Sequence, residues 1–175
     1  MTDIRPVPWL VDEAVTWLER EVSCGSIKSV LEFGSGASTV WLAPRVKTLV
    51  SVEHTQEWYS KVVDTIGANQ KVDCRLRPRP YNTVCAEELP TRQFDLVIVD
   101  GKDRVECAQS SHTLVRPGGW LMLDNSDFNT PWSRPIFDLL NTWKHTTWVQ
   151  EGPDQVGYIA PNGIEWETTI FRKPL

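Results

Sequence analysis

The hydrophobic positions of the chain follow two alternating spacings between residues 29 and 124. Short apolar runs, which predict strands, are separated by segments such as 37–43 and 58–66, where apolar residues recur at helical spacing. The run 94–100 is β-branched and apolar on both faces, as a central parallel strand must be. This alternation predicts a doubly wound, Rossmann-like α/β fold with three α/β/α layers. The predicted strands are 29–33, 48–53, 72–76, 94–100 and 120–123.

The two ends of the chain have different patterns. Apolar positions between residues 11 and 18 predict an amphipathic helix outside the core, which Gly25 can end. In the tail, a short helix near 136–143 precedes two alternating segments, 146–150 and 165–172, which predict an antiparallel pair at one sheet edge. We therefore expect a single domain, 1–175. Its parts are an N-terminal helical extension (1–25), a ligand-binding core (28–125) and a C-terminal, substrate-side loop, helix and strand pair (126–175).

Composition and charge narrow the class of protein. The chain has 41% hydrophobic and 23% charged residues, and no apolar run approaches the roughly 20 residues that span a bilayer. The N-terminus lacks the pattern of a secretory signal, so we expect a cytoplasmic protein. A net charge of −5 argues against nucleic-acid or anionic-membrane partners. The four cysteines are scattered, which predicts buried, reduced thiols. Four basic residues within nine positions predict either a solvated strand end or a site for an anionic substrate: Lys71, Arg75, Arg77 and Arg79.

The turn after the first predicted strand is built for close approach to a ligand. Gly34 and Gly36 permit positive backbone torsions, while Ser35 and Ser38 offer hydroxyls at the start of a helix. The third glycine of the dinucleotide fingerprint is absent, which disfavours pyrophosphate. Glu32, an acid just before the turn, suits a cationic ligand better than a phosphate. These features predict a site for a positively charged nucleoside.

Polar residues also follow the other predicted strands, and in a doubly wound sheet all of these ends face one crevice. Glu53 lies 17 residues after Gly36, near the spacing at which an acid accepts hydrogen bonds from ribose hydroxyls. The remaining strand ends carry His54, the segment Asp100-Gly101-Lys102-Asp103, and Asp124-Asn125.

Four segments of the chain resemble class I S-adenosylmethionine-dependent methyltransferases in their order and spacing, over residues 28–125. The segments are Leu31-Glu32-Phe33-Gly34-Ser35-Gly36, Val52-Glu53, 94–100 and Arg116-Pro117-Gly118-Gly119. The resemblance implies a seven-stranded, mostly parallel sheet with an antiparallel last strand. It also implies that the glycine turn lies under the methionine part and the sugar, that Glu53 holds the ribose, and that 76–80 flanks adenine. The implied cofactor-binding residues are Glu32, Gly34, Ser35, Gly36, Ser38, Glu53, His54 and Asp100.

A narrower resemblance links Asp100-Gly101-Lys102-Asp103-Arg104 and Asp124-Asn125 to cation-dependent O-methyltransferases of the catechol and caffeoyl-coenzyme A type. It implies that Asp100, Asp124 and Asn125 bind Mg²⁺ or a similar divalent cation. The lysine lies only two residues after Asp100, and the second segment continues as Ser126-Asp127, which departs from the pattern. The alternative is that these acids only shape the pocket and hold turns.

The expected reaction transfers a methyl group to an oxygen, less favourably a nitrogen, of a small molecule or glycan. Asp100, Lys102 and Asp103 are the candidate catalytic residues, although Lys102 and Asp103 also fit a helix N-terminal turn with a surface ion pair. Trp9 and Trp58 are expected in the core, whereas Trp132 and Phe128 are candidates for stacking on the acceptor. A nicotinamide-dependent oxidoreductase, a noncatalytic nucleoside-binding or interaction module, and a homodimer stay open as alternatives.

Overall fold

The computed structural model describes residues 4–127, 131–152 and 165–175, which contain a seven-stranded sheet. Its order is β3-β2-β1-β4-β5-β7-β6. Strands β1 to β5 pair in parallel, and β7 runs antiparallel to both β5 and β6. The expected mostly parallel sheet with an antiparallel last strand is therefore confirmed. The strands are β1 (Ser29–Phe33), β2 (Thr48–Glu53), β3 (Val72–Leu76), β4 (Phe94–Val99), β5 (Val115–Asp124), β6 (Lys144–Glu151) and β7 (Glu165–Arg172).

Helices cover both faces of this sheet, because neighbouring residues of the buried strands point to opposite sides. In β4, Val97 packs in a core cluster with residues of α4, α5 and α6, whereas Leu96 packs in a second cluster with residues of α1 and α2. Helix α3 contacts α2. The three-layer arrangement is thus confirmed. The helices are α1 (Asp12–Ser23), α2 (Ala37–Leu42), α3 (Gln56–Ile66), α4 (Val84–Glu88), α5 (Arg104–Ser111) and α6 (Arg134–Leu139).

The sheet reverses its order of connection between β1 and β4. From β1 the chain moves outward to β2 and β3, then returns to place β4 on the other side of β1. The loops after β1 and β4 therefore leave adjacent strands and diverge to opposite sides of the sheet, which opens a crevice between them. Backbone pairing continues to the mouth of this crevice, where the Asp100 amide donates to the Phe33 carbonyl at 3.0 Å.

Several local predictions differ from the structure. The strand predicted at 120–123 begins earlier, at Val115, and residues 116–119 form an irregularity inside β5: Phe94 pairs with Val115, but Leu96 pairs with Trp120. Helix α5 ends at Ser111 and continues as a short 3-10 turn over His112–Leu114. Cys24 is exposed rather than buried. Over the ranges that the structure describes, no helix has the length and apolar character of a bilayer span.

Candidate functional site

A cleft of about 270 Å³ lies at the carboxyl ends of β1, β2 and β4, where the sheet reverses its order. Its floor is the turn after β1, and one side is formed by the end of β2. The loop after β4 and the start of α5 form the other side, and two tryptophans stand at the rim. The lining residues are Trp9, Gly34, Ser35, Gly36, Ala37, Ser38, Glu53, His54, Trp58, Asp100, Gly101, Lys102 and Arg104.

The two loops that meet in the cleft touch backbone to backbone. Gly34 has φ +95°, and a Cβ there would lie 2.7 Å from the Gly101 amide nitrogen. A Cβ at Gly101 would in turn collide with the hydroxyl of Tyr81, which donates to the Lys102 carbonyl at 2.6 Å. Burial raises the pKa of Tyr81, so its hydroxyl keeps the proton that it donates. Side chains are excluded from this contact, which sets the width of the cleft.

Gly36 differs from Gly34, because a Cβ placed on it would meet nothing within 4 Å. Its backbone is extended, at φ −174°, so the missing side chain is not required by the backbone conformation. The Gly36 amide donates to Thr39 Oγ1 at 2.9 Å, at the start of α2. The turn thus leaves open space beside exposed main chain, which is the kind of surface against which a nucleoside can lie.

Glu53 is the last residue of β2 and is 3% exposed, with its side chain in the wall of the cleft. Its Oε2 accepts from the Ser35 amide at 3.0 Å, and its Oε1 accepts from the amide and hydroxyl of Thr55 at 2.7 and 2.8 Å. Each carboxylate oxygen can accept more than one hydrogen bond. Glu53 therefore holds the glycine turn against β2, and its position also suits the predicted contact with ribose.

Glu32 lies behind the turn rather than in the cleft. It is fully buried, and it accepts hydrogen bonds from the hydroxyls of Ser38, Thr39 and Ser51. Burial raises the pKa of Glu32, although the hydroxyl donors act in the opposite direction. The predicted contact of Glu32 with the cofactor gains no support from this placement, because the carboxylate does not line the cleft and its partners form the underside of the turn.

The hydroxyls of the two predicted serines also point into this buried network. Ser35 Oγ lies 2.7 Å from Ser51 Oγ, and Ser38 Oγ donates to Glu32 Oε1. Both residues nevertheless line the cleft. His54 lines it as well and stacks on Tyr81, with ring centroids 5.4 Å apart. His54 Nδ1 approaches Glu53 Oε1 at 3.0 Å, but this approach lacks hydrogen-bond geometry.

The three candidate catalytic residues occupy different surroundings. Asp100 and Lys102 line the cleft, and the Lys102 side chain makes no hydrogen bond or ion pair with any residue that the structure describes. Asp103 does not line the cleft: both of its carboxylate oxygens bind the guanidinium of Arg79. This contact lowers the pKa of Asp103. The catalytic role of Asp103 stays a prediction, and this ion pair favours its alternative, a helix N-terminal turn with a surface ion pair.

The three predicted metal ligands meet around Arg104, the first residue of α5. Arg104 Nη2 donates to Asp100 Oδ1 at 3.3 Å and to Asn125 Oδ1 at 2.9 Å, while Nη1 donates to the Asp124 carbonyl at 2.5 Å. Desolvation, and then the neighbouring charge of Asp124, raise the pKa of Asp100, while Arg104 acts in the opposite direction. Desolvation also raises the pKa of Asp124, again against the effect of Arg104. In this arrangement the residues do not fit a divalent cation, because a positive guanidinium lies among their oxygens. Over the described ranges, no group of three His, Cys, Asp or Glu side chains could hold a metal ion.

Other side chains lie where the sequence did not lead us to expect them. Trp9 is 42% exposed and meets Trp58 edge to face at 5.9 Å, and both line the cleft rather than the core. Trp132 lies under Arg104, whose guanidinium carbon is 5.5 Å from the ring centroid. Phe128 falls outside the described residues. Residues 76–80, expected beside adenine, do not line the described cleft.

The three arginines of the basic run are paired with neighbouring acids. Arg75 pairs with Asp73 and Glu88, and Arg77 also pairs with Glu88. Arg79 is the partner of Asp103. These ion pairs favour the interpretation as a solvated strand end over a site for an anionic substrate.

No protein-family model and no curated protein matches this sequence. Solved structures do. The O-methyltransferase TomG of Streptomyces achromogenes, involved in tomaymycin synthesis and solved with S-adenosylmethionine, has a TM-score of 0.66 and 20% identity, over 90% of this chain and 78% of TomG. An O-methyltransferase of Bacillus cereus in complex with S-adenosylhomocysteine has a TM-score of 0.69 and 17% identity, over 95% and 84%.

A third similar structure is that of an N-methyltransferase. The N-methyltransferase NodS of Bradyrhizobium japonicum, in complex with S-adenosylhomocysteine, has a TM-score of 0.67 and 15% identity, over 94% of this chain and 87% of NodS. At these identities the likeness establishes the fold. The chain therefore has the fold of class I S-adenosylmethionine-dependent methyltransferases, as the sequence resemblance implied.

Proposed function

We propose that this protein is an S-adenosylmethionine-dependent methyltransferase that methylates an oxygen of a small molecule or glycan. The observation that carries the proposal is the open space beside Gly36, in a cleft whose wall contains the carboxylate of Glu53. Three structures with this fold are described as methyltransferases with S-adenosylmethionine or S-adenosylhomocysteine bound. That agreement favours a methyltransferase over a nicotinamide-dependent oxidoreductase.

The residues present fit such a cofactor. The backbone of Gly34 to Gly36 would face the methionine part and the sugar, Glu53 would accept hydrogen bonds from the ribose hydroxyls, and His54 would lie beside the base. When bound, S-adenosylmethionine supplies a methyl group on a sulfonium that is already a good leaving group. The protein then has mainly to align the acceptor, and alignment alone can supply a large part of the rate enhancement.

We call the side of the cleft formed by the loop after β4 and the start of α5 the acceptor side. Asp100 and Lys102 are the residues of this side that we propose to act on the acceptor. Lys102 is exposed and lines the cleft, where its positive charge would favour the deprotonated form of an acceptor hydroxyl. Asp100 accepts from Arg104, and 27% of its side chain is exposed. Its carboxyl is placed to orient the acceptor or the methionine part. Oxygen is proposed over nitrogen as the acceptor atom on the strength of the motif resemblance.

The charge of −5 favours a small molecule or glycan over a nucleic acid as acceptor, and we propose a cytoplasmic location. The N-terminal segment contributes to the site through the exposed ring of Trp9, which lines the cleft. An exposed aromatic ring here can cover the face of a bound base or acceptor ring.

Isothermal titration calorimetry with S-adenosylhomocysteine and with NAD tests this proposal. We expect S-adenosylhomocysteine to bind and NAD not to bind. Glu53→Gln keeps the shape of the side chain but weakens charge-assisted hydrogen bonds, so affinity should fall roughly 10- to 100-fold. Glu57→Gln, which alters an exposed carboxylate outside the cleft, is the matched control and should leave affinity unchanged.

Binding of NAD alone would overturn the proposal in favour of an oxidoreductase. Binding of S-adenosylhomocysteine without methyl transfer to any acceptor would instead support the noncatalytic alternative. The assay incubates the protein with methyl-labelled S-adenosylmethionine and a panel of phenols, catechols, sugars and amines. Label that reaches none of them would favour the binding module.

A further inference from the structure

Arg104 connects the two strand ends on the acceptor side of the cleft. Its Nε donates to the Gly101 carbonyl at 2.9 Å, and its Nη2 donates to the Asp100 carbonyl at 3.1 Å, both in the loop after β4. On the other side it reaches the end of β5, through the Asp124 carbonyl at 2.5 Å and Asn125 Oδ1 at 2.9 Å. All three guanidinium nitrogens are therefore engaged, and only 17% of the side chain is exposed.

Each residue that the narrower resemblance assigns to a divalent cation already has one side-chain oxygen engaged. Asp100 Oδ1 and Asn125 Oδ1 both accept from one nitrogen of Arg104, and Asp124 Oδ1 accepts from the Thr168 hydroxyl at 2.8 Å. The backbone of Asn125 is in the left-handed region, at φ 47°, while its side chain accepts from Arg104. A metal ion at this point would have to displace a guanidinium that also stacks on Trp132. It would then lie beside that like charge, which is unfavourable.

We propose that Arg104 is the built-in cation of this site, taking the place of a divalent metal and acting as a positioning residue for the loops after β4 and β5. The planar guanidinium reaches four acceptor residues in a fixed fork, which a point charge such as an ammonium does not reproduce. Arg104 thereby sets the distance between Asp100, which lines the cleft, and Asn125. Methyl transfer by this protein accordingly needs no added metal.

Titration with Mn²⁺, read by the electron paramagnetic resonance signal of the free ion, tests this inference without any cofactor or acceptor. Wild-type protein should leave the free Mn²⁺ signal unchanged. Arg104→Ala removes the competing charge and leaves Asp100, Asp124 and Asn125 together, so this variant should gain a single saturable Mn²⁺ site. Adding Asp100→Asn to Arg104→Ala is the matched control and should abolish the gained site.

Two outcomes would overturn the inference. One is saturable Mn²⁺ binding by wild-type protein that Asp100→Asn abolishes, because the metal would then displace Arg104. The other is a folded Arg104→Ala protein with no Mn²⁺ site, because Arg104 would then not stand in a cation's place. Circular dichroism checks folding first. If Arg104→Ala does not fold, Arg104→Gln takes its place in the titration, and the wild-type result decides the metal question alone.

The activity experiment rests on the proposed function. Wild-type methyl transfer should be the same with EDTA as with Mg²⁺, and Arg104→Lys should lower kcat by roughly 100-fold through misplacement of the acceptor side. S-adenosylhomocysteine affinity should change little in Arg104→Lys, because the glycine turn and Glu53 are untouched. Stimulation of the wild-type enzyme by Mg²⁺, lost with EDTA, would overturn the inference. Failure to bind S-adenosylhomocysteine would instead overturn the proposed function and leave the Mn²⁺ result to stand.

Discussion

The two sides of the cleft are held together by different chemistry. On the glycine-turn side, the buried carboxylate of Glu32 is surrounded by hydroxyls, and Glu53 binds the Ser35 amide and Thr55. On the acceptor side, Asp100 and Asn125 meet at the guanidinium of Arg104. Hydroxyls and amides hold these two acidic side chains in place, and the carboxylate of Glu53 in the cleft wall suits a cationic nucleoside. A fixed positive charge on the other side suits an acceptor oxygen.

The largest effect is expected when the backbone contact between Gly34 and Gly101, which joins the two sides of the cleft, is broken. Gly34→Ala places a Cβ 2.7 Å from the Gly101 nitrogen at φ +95°, so we expect the free energy of unfolding to fall by about 3 kcal/mol or more. Gly36→Ala is the matched variant, because its Cβ enters open space at an extended backbone. It should fold like wild type and still lose affinity for S-adenosylhomocysteine. Urea unfolding and calorimetry measure both. Equal stability of the two variants would contradict the close backbone contact.

The next largest effect is the difference in stability between two substitutions to glutamine, one on each side of the cleft. Arg104→Gln leaves the partly buried carboxyl of Asp100 and the buried carboxyl of Asp124 without their neighbouring cation, which should lower the free energy of unfolding by about 2–3 kcal/mol at neutral pH. Glu32→Gln keeps a side chain that can accept and donate among hydroxyls, so it should cost less than about 1 kcal/mol. Urea denaturation of both variants measures the difference. The comparison fails if Glu32→Gln is the more damaging change.

A smaller effect is the pH dependence of the glycine-turn side. The pKa of Glu32 is raised by burial, so the native protein binds a proton there at a pH where the unfolded chain does not. Wild type should therefore gain stability relative to Glu32→Gln as pH falls from neutral through the raised pKa, until the unfolded carboxyl also protonates near 4.5. Urea midpoints at a series of pH values measure this gain.

Glu57→Gln provides a control of opposite sign for that series. Lys61 lowers the pKa of Glu57, so wild type should lose stability relative to this variant as pH falls. A wild-type advantage over Glu32→Gln that did not change with pH would contradict the account of Glu32.

The smallest expected effect is at Asp103. Its carboxylate is held by Arg79 outside the cleft, so Asp103→Asn should leave methyl transfer and the unfolding midpoint within error of wild type. Lys102→Met, which removes the ammonium from the cleft rim, should lower kcat in the same assay. A loss of activity in Asp103→Asn as large as that in Lys102→Met would restore Asp103 as a catalytic residue.

Local patterns predicted the glycine-turn side better than the acceptor side. The strands β1 to β3 and the elbow at Gly34 are set by runs of neighbouring residues, and their bounds agree with the sequence prediction. The role of Arg104 depends on the end of β5, 20 residues further along the chain, so no local pattern reveals it. Its position four residues after Asp100, at the start of α5, was the only signal in the sequence. Trp9 was misplaced for the same reason, because its neighbour Trp58 is distant in sequence.

The most direct test of the account is a crystal structure of the protein with S-adenosylhomocysteine. We expect the ligand against the backbone of Gly36, with its ribose hydroxyls within about 3 Å of the Glu53 carboxylate and its sulfur directed toward Asp100. A ligand bound away from the turn at residues 34–36, or one that makes no contact with Glu53, would contradict the assignment of this cleft as the cofactor site.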